Sequence, residues 1–145
     1  MIALACDHGA YDFKEALKKH LEAKGLEYKD FGCYNKESCD YPDFAGAAAK
    51  AVAAGECDRG IVCCTTGIGV SIAANKIKGI RCALVSDLMS ARLTRQHNDT
   101  NVLALGAGVV GEKLGLEIAD VWLETAFEGG RHARRVDKLM ALEND

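Results

Sequence analysis

Nothing in this sequence approaches the run of about 18 apolar residues that a membrane-spanning helix requires. The opening Met1-Ile2-Ala3-Leu4-Ala5-Cys6 also lacks the basic start of a secretory signal. Both absences lead to the expectation of a cytoplasmic protein with no membrane partner. An excess of positive charge is missing too: 18 Lys and Arg against 21 Asp and Glu leave a net charge of −3. Nucleic acid therefore meets no general attraction, and any basic site must be local. The seven cysteines, at positions 6, 33, 39, 57, 63, 64 and 82, include no Cys-x-x-Cys pair and no Cys/His spacing of the zinc type, so no metal is expected. An odd number of mostly buried thiols suits a reducing compartment. Internal repeats and low-complexity tracts are absent. What remains is an ordinary globular balance, 49% apolar and 27% charged, in a length that suits one domain over residues 1–145.

The pattern alternates strand with helix. Met1 to Cys6 reads as a buried strand, Tyr11 to Lys24 as a helix stopped by Gly25, and Leu26 to Phe31 as a second strand. A strand, helix and strand this close together imply a parallel pair with a right-handed crossover. Gly32 to Asp43, which holds the only proline, Pro42, is predicted as a loop; Phe44 to Ala54 is an alanine-rich helix, and Arg59 to Cys63 a central strand. Ile80 to Val85 and Asn101 to Leu105 are two more strands, separated by a helix from Asp87 to His97. Helices from about Gly111 to Thr125 and from Arg131 to Leu142 close the chain. The alternation calls for an α/β fold, an open, doubly wound, five-stranded parallel sheet between two helical layers, with an extra C-terminal helix. That last helix has no strand after it, and its apolar side of Val136, Leu139, Met140 and Leu142 is free to pack on a second subunit.

The chain is organised around Gly60 to Lys76. An apolar strand ends in Cys63-Cys64, a loop carries Thr65, Thr66 and the glycines 67 and 69, and Ile68, Ile72 and Ala73 then follow helical spacing. Glycines allow close approach of the backbone to a ligand, and the helix aims its unpaired N–H groups back at the loop, which suits an anion. Cys64 stands at the strand's exit beside those N–H groups, where a thiolate is stabilised. The plainer reading of such a cysteine is a small buried hydrophobe.

Ligands of a doubly wound sheet sit outside the carboxyl ends of its strands. Asp7-His8, Asp40-Tyr41, Cys64 to Ser71 and His97-Asn98-Asp99 are all expected there, joined by Gly129-Gly130-Arg131-His132 at the start of the last helix. Arg131 and Arg135 are four residues apart and so share a helix face. Near a helix N-terminus they oppose the dipole unless an anion is bound, and a phosphate answers that; the alternative is a solvated basic face. His8 and His97 have the side chain whose ordinary pKa suits proton transfer.

In order and over essentially the whole chain, Asp7-His8-Gly9, Asp40-Tyr41-Pro42-Asp43, Cys64 through Lys76, Arg95 through Leu103 and Gly129 through His132 resemble the ribose-5-phosphate isomerase B family. Its superfamily includes galactose-6-phosphate and allose-6-phosphate isomerases. The resemblance implies a Rossmann-like homodimer, often paired into a tetramer, that interconverts aldose and ketose phosphates with no cofactor. It implies Cys64 as the base that moves a proton between C1 and C2 through a cis-enediolate, and His97 as the residue that opens the sugar ring with Asp7 nearby. The loop around Thr66, Gly67, Ile68, Gly69 and Ser71 corresponds to the oxyanion hole, with Thr66 in the catalytic set and Thr65 at its mouth. His8, Arg131 and Arg135 match phosphate contacts, and Tyr41 and Asn98 line the sugar, part of each pocket coming from the partner subunit.

Two positions depart from that pattern. Thr65 replaces a usual glycine, and Gly108 replaces an arginine that contacts phosphate. Losing one charged hydrogen bond costs about 1.5 to 3 kcal/mol, so either a weaker phosphate grip or a different sugar is expected, unless Arg134 compensates. Beside ribose 5-phosphate stand two other readings: a six-carbon or unphosphorylated sugar, and a nucleotide-binding or redox-sensing module built on the glycine loop and Cys63-Cys64. For the last, Asp87 is the only acidic residue near the required place, and neighbouring strand residues face opposite ways, which disfavours a disulfide.

Overall fold

The near-continuous apolar runs become the three central strands of a parallel sheet, as burial on both faces demands. The computed structural model describes residues 1–145. Its strands are β1 (Ile2–Cys6), β2 (Tyr28–Asp30), β3 (Arg59–Cys64), β4 (Cys82–Leu84) and β5 (Val102–Gly106), in the spatial order β2-β1-β3-β5-β4. The helices are α1 (Tyr11–Ala23), α2 (Tyr41–Ala53), α3 (Ile68–Asn75), α4 (Leu88–Asn98), α5 (Ala107–Glu124) and α6 (Arg131–Ala141). No helix is long and apolar enough to cross a membrane.

Alternation along each strand splits the interior into two cores. Leu4, Cys6, Ile61, Cys63, Leu103 and Leu105 pack against α1, α4 and α5 through Phe13, Leu17, Ala91, Ile118 and Trp122. Ala3, Ala5, Val62, Cys64 and Ala104 face α2 and α3, where Ala45, Ala48, Ala49, Val70 and Ala74 meet them. Small residues on both sides let α2 sit close to the sheet. The chain runs outward from β1 to β2, then returns to place β3 on the other side of β1. The crevice between the carboxyl ends of β1 and β3 is thus the point where strand order reverses.

Three boundaries differ from expectation. Helix α2 starts at Tyr41, inside the predicted loop, because proline is tolerated in a first helical turn, where its missing N–H costs nothing. This fixes Tyr41 on a helix end. The chain after β5 is helical from Ala107, with a break at Gly111 (φ 73°, ψ 173°). The edge strands β2 and β4 are three residues each, shorter than their apolar runs, since an edge strand finds pairing on one side only.

Lys14 is wholly buried and donates to Asp30 Oδ1 at 2.6 Å and to the Cys33 carbonyl. Burial by itself pushes the Asp30 carboxyl up, but the hydrogen bonds from Lys14, the Gly32 N–H and Lys18 outweigh it and hold the group below its ordinary 3.8. A depressed carboxylate contributes stability above its unfolded pKa and loses it as the pH falls through the folded value. Asp30→Asn is therefore expected to cost about 3 kcal/mol at pH 7 by stranding the Lys14 charge. Urea titrations should show that deficit shrinking once the pH drops below 3.8.

Candidate active site

Cys64 is the last residue of β3, and its Sγ accepts the Gly67 N–H at 3.0 Å. Gly67 can make that contact because it adopts a left-handed conformation (φ 78°). A Cβ there would lie 2.8 Å from the Leu105 carbonyl carbon and 2.9 Å from the Gly106 nitrogen, so no other residue fits. Thr66 Oγ1 accepts the Ile68 N–H at 3.2 Å, and the Ser71 hydroxyl donates to the Ile68 carbonyl at 2.7 Å. The N–H groups of Gly69 and Val70 have no hydrogen-bond partner within the chain and stand open at the start of α3. Tyr41 lies over this turn: a Cβ on Gly69 would be 2.7 Å from its ring.

Asp7 follows β1, donates its N–H to the Cys63 carbonyl at 3.2 Å and accepts the Gly9 N–H at 2.9 Å through its carboxylate. His8 Nδ1 accepts the Cys39 N–H at 3.3 Å. Asp7, Tyr41, Cys64, Thr65, Thr66, Ile68, Gly69 and Ile72 enclose one pocket of about 440 Å³ at the switch point. Gly67 and Ser71 support the turn beneath it and do not line it. No lysine or arginine is among the lining residues.

Sulfur chemistry is sorted by the sheet. Cys63 is in the opposite core from Cys64, and burial pushes its thiol well above the ordinary 9.0. Burial likewise pushes Cys6 and Cys82 up to about 12. All seven thiols are free, and Cys64 alone among them opens into this pocket.

The remaining expected site residues are elsewhere, which corrects the expectation that all clusters meet at the carboxyl ends. His97 and Asn98 end α4, just before β5. A residue that closely precedes a parallel strand lies at that strand's amino end, the end of the sheet away from Cys64. Arg81 confirms the placement by donating to the Asn98 and Asp99 carbonyls. Asn98 borders a separate depression of about 540 Å³ with Arg81, Leu139 and Met140. Arg131 and Arg135 are exposed on α6, which packs on α4. Leu139 on that helix and Leu142 just after it remain exposed, 47% and 64%, so the apolar side is uncovered in a single chain.

His132 stands in the sequence only as the end of the Gly129 to His132 motif, with no sign that it pairs with His97. The His132 ring stacks on it at 4.3 Å and 12°, with Glu128 Oε2 at 3.6 Å from His132 Nε2. Burial, then the neighbouring His97 and Arg131, push His132 below its ordinary 6.5. Ligand atoms of His97, Glu128 and His132 lie within 4.8 Å of one another. Near-parallel rings, however, direct their nitrogen lone pairs in two separate planes, so both cannot aim at one ion. The trio is a stacked pair with an acid beside it, not a metal set.

The third reading loses its acid. Asp87 accepts the Ser90 N–H at 2.7 Å and caps α4, so its carboxylate is already engaged.

Comparison with known proteins gives the chain a family. Residues 2–139 match the family model described as Ribose/Galactose Isomerase. Ribose-5-phosphate isomerase B of Escherichia coli is 50% identical over 98% of this chain and 95% of its own. The Clostridium thermocellum ribose-5-phosphate isomerase B structure superposes with a TM-score of 0.97 at 52% identity, covering 99% of this chain and 97% of that one. The Mycoplasma genitalium ribose-5-phosphate isomerase B, solved with bound ribulose-5-phosphate, gives a TM-score of 0.94 at 41% identity, covering 99% and 96%. With a thiol-floored pocket at the switch point and matches running from end to end, the chain belongs to the ribose/galactose isomerase family.

Proposed function

We propose that this protein interconverts D-ribose 5-phosphate and D-ribulose 5-phosphate, with Cys64 as the base. The observation that carries this is the Cys64 sulfur at the floor of the switch-point pocket with the Gly67 N–H at 3.0 Å, placed to hold negative charge on it. The thiolate removes the proton from C2 of the open aldose. The electron pair of that C–H bond forms the C1–C2 double bond, and the carbonyl π electrons move to O1 as a cis-enediolate. The unpartnered N–H of Gly69 faces the developing oxyanion, with the Thr66 hydroxyl beside it. A proton passes from O2 to O1, and Cys64 returns its own to C1, leaving the ketose and the thiolate.

Ring opening and phosphate binding need groups that this pocket lacks. A second copy of the chain supplies them: its His97 moves the ring proton with Asp7 of the first chain nearby, its Arg131 and Arg135 hold the phosphate with His8, and its Asn98 meets the sugar. The uncovered apolar side of α6 and the absence of any cation among the pocket residues support a homodimer, or a tetramer of such dimers, with shared sites. Proton transfer, oxyanion binding and phosphate binding are all assigned to side chains and backbone, with no cofactor in any step.

A six-carbon or unphosphorylated sugar has one observation in its favour, the glycine at position 108. A coupled assay for ketose formation over ribose 5-phosphate, allose 6-phosphate, galactose 6-phosphate, free ribose and free allose decides. Ribose 5-phosphate is expected to give the highest kcat/KM, and a tenfold or greater preference for another sugar (, about 1.4 kcal/mol) overturns it.

A further inference from the structure

Thr65 is the first residue beyond the strand that ends in Cys64, and its side chain forms part of the pocket wall. Both of its branches face glycine. A Cβ on Gly9 would come within 2.3 Å of Thr65 Oγ1, and a Cβ on Gly108 would stand 3.1 Å from Thr65 Cγ2 and 3.2 Å from its carbonyl oxygen. The Gly108 N–H donates to that carbonyl at 2.9 Å, so the two segments are tied together. Gly9 belongs to the loop after β1 and Gly108 to the start of α5, directly after β5. The threonine thus bridges the crevice between the loops that follow the two strands flanking β3. A β-branched side chain has a stiff χ1, and turning it away from one glycine drives the other branch towards its neighbour.

We propose that Thr65 is a specificity-determining residue, a wedge between Gly9 and Gly108 that ends the pocket at this crevice and so favours a five-carbon sugar phosphate over a six-carbon one. The proposal rests on the isomerase reading of the pocket. The wedge is short and uncharged, and it stands where a side chain on residue 108 would begin. Opening the crevice needs the removal of both branches, whereas a serine retains the Oγ1 that faces Gly9.

Two measurements on the full-length protein test this. In the first, kcat/KM is measured for allose 6-phosphate and ribose 5-phosphate in wild type, Thr65→Ser and Thr65→Gly. The six-carbon to five-carbon ratio should rise about tenfold in Thr65→Gly, with Thr65→Ser between; an unchanged ratio overturns the proposal. In the second, Gly108→Ala is made with Thr65 present and with Thr65→Gly. Alanine should lower the Tm by about 2 to 4 °C beside Thr65 and by clearly less once the Cγ2 is gone, the carbonyl contact being common to both backgrounds; an equal loss in both backgrounds overturns the wedge. Should the wild type isomerise no sugar phosphate, the isomerase reading and the selectivity fail together, while the unfolding comparison still reports whether Thr65 packs as a wedge.

Discussion

Cys64→Ala should lower kcat for ribose 5-phosphate by about 10⁴-fold, the upper range for removal of a positioned base, while shifting the Tm by no more than about 4 °C. The small thermal cost follows from what is lost: one sulfur atom at the end of a strand, with the Gly67 N–H then left to solvent or substrate. The control is the adjacent residue. Cys63 lies in the other core, facing α1 and α5, so Cys63→Ala should retain most of the activity even if it costs more stability. Full activity in Cys64→Ala would remove this sulfur from the mechanism. Equal losses in both variants would assign the effect to strand packing.

The second large effect is a rescue. Cys64→Ala and His97→Ala chains should each be close to inactive alone, because in the proposed shared-site homodimer each has lost the same half of both sites. Mixing the two after dissociation and reassociation should restore about a quarter of the wild-type rate, since half of random dimers are mixed and each of those carries one intact site. The expectation comes from the sheet: Cys64 closes β3 at the carboxyl end, and His97 precedes β5 at the amino end. Failure of the mixture to regain activity, with mixed dimers verified by mass spectrometry, would show that the two residues do not serve one site.

The fold could be read largely from local pattern. β1, β3 and β5 announced themselves as unbroken apolar runs because each is covered on both faces, and α1 because Phe13, Leu17 and Leu21 recur at helical spacing and are buried together. Where the reading stopped short, pairing and capping decided. The edge strands extend only over the three residues that pair with a neighbour, and α2 extends back to Tyr41 because its first turn tolerates Pro42. The site divided in the same way. Cys64, Thr66, Gly67 and Gly69 are a few residues apart, so their joint geometry was visible in the order of residue types. The position of His97 relative to Cys64 depends on chain direction through the sheet, and a histidine ahead of a parallel strand belongs at its amino end. The His97–His132 stack joins residues 35 positions apart on two packed helices, and no spacing rule reports it. Thr65 showed only as a departure from the glycine that the resemblance leads one to expect; the structure adds Gly9 and Gly108 on either side of it.

With the thiol at the carboxyl end of the sheet and His97 at the amino end, the proposed shared site makes turnover a property of encounter. On that proposal a lone polypeptide, however well folded, holds half the machinery in each of two separate places. Specific activity should therefore collapse on dilution below the subunit dissociation constant while circular dichroism stays unchanged, so that protein concentration itself acts as the first control on this enzyme.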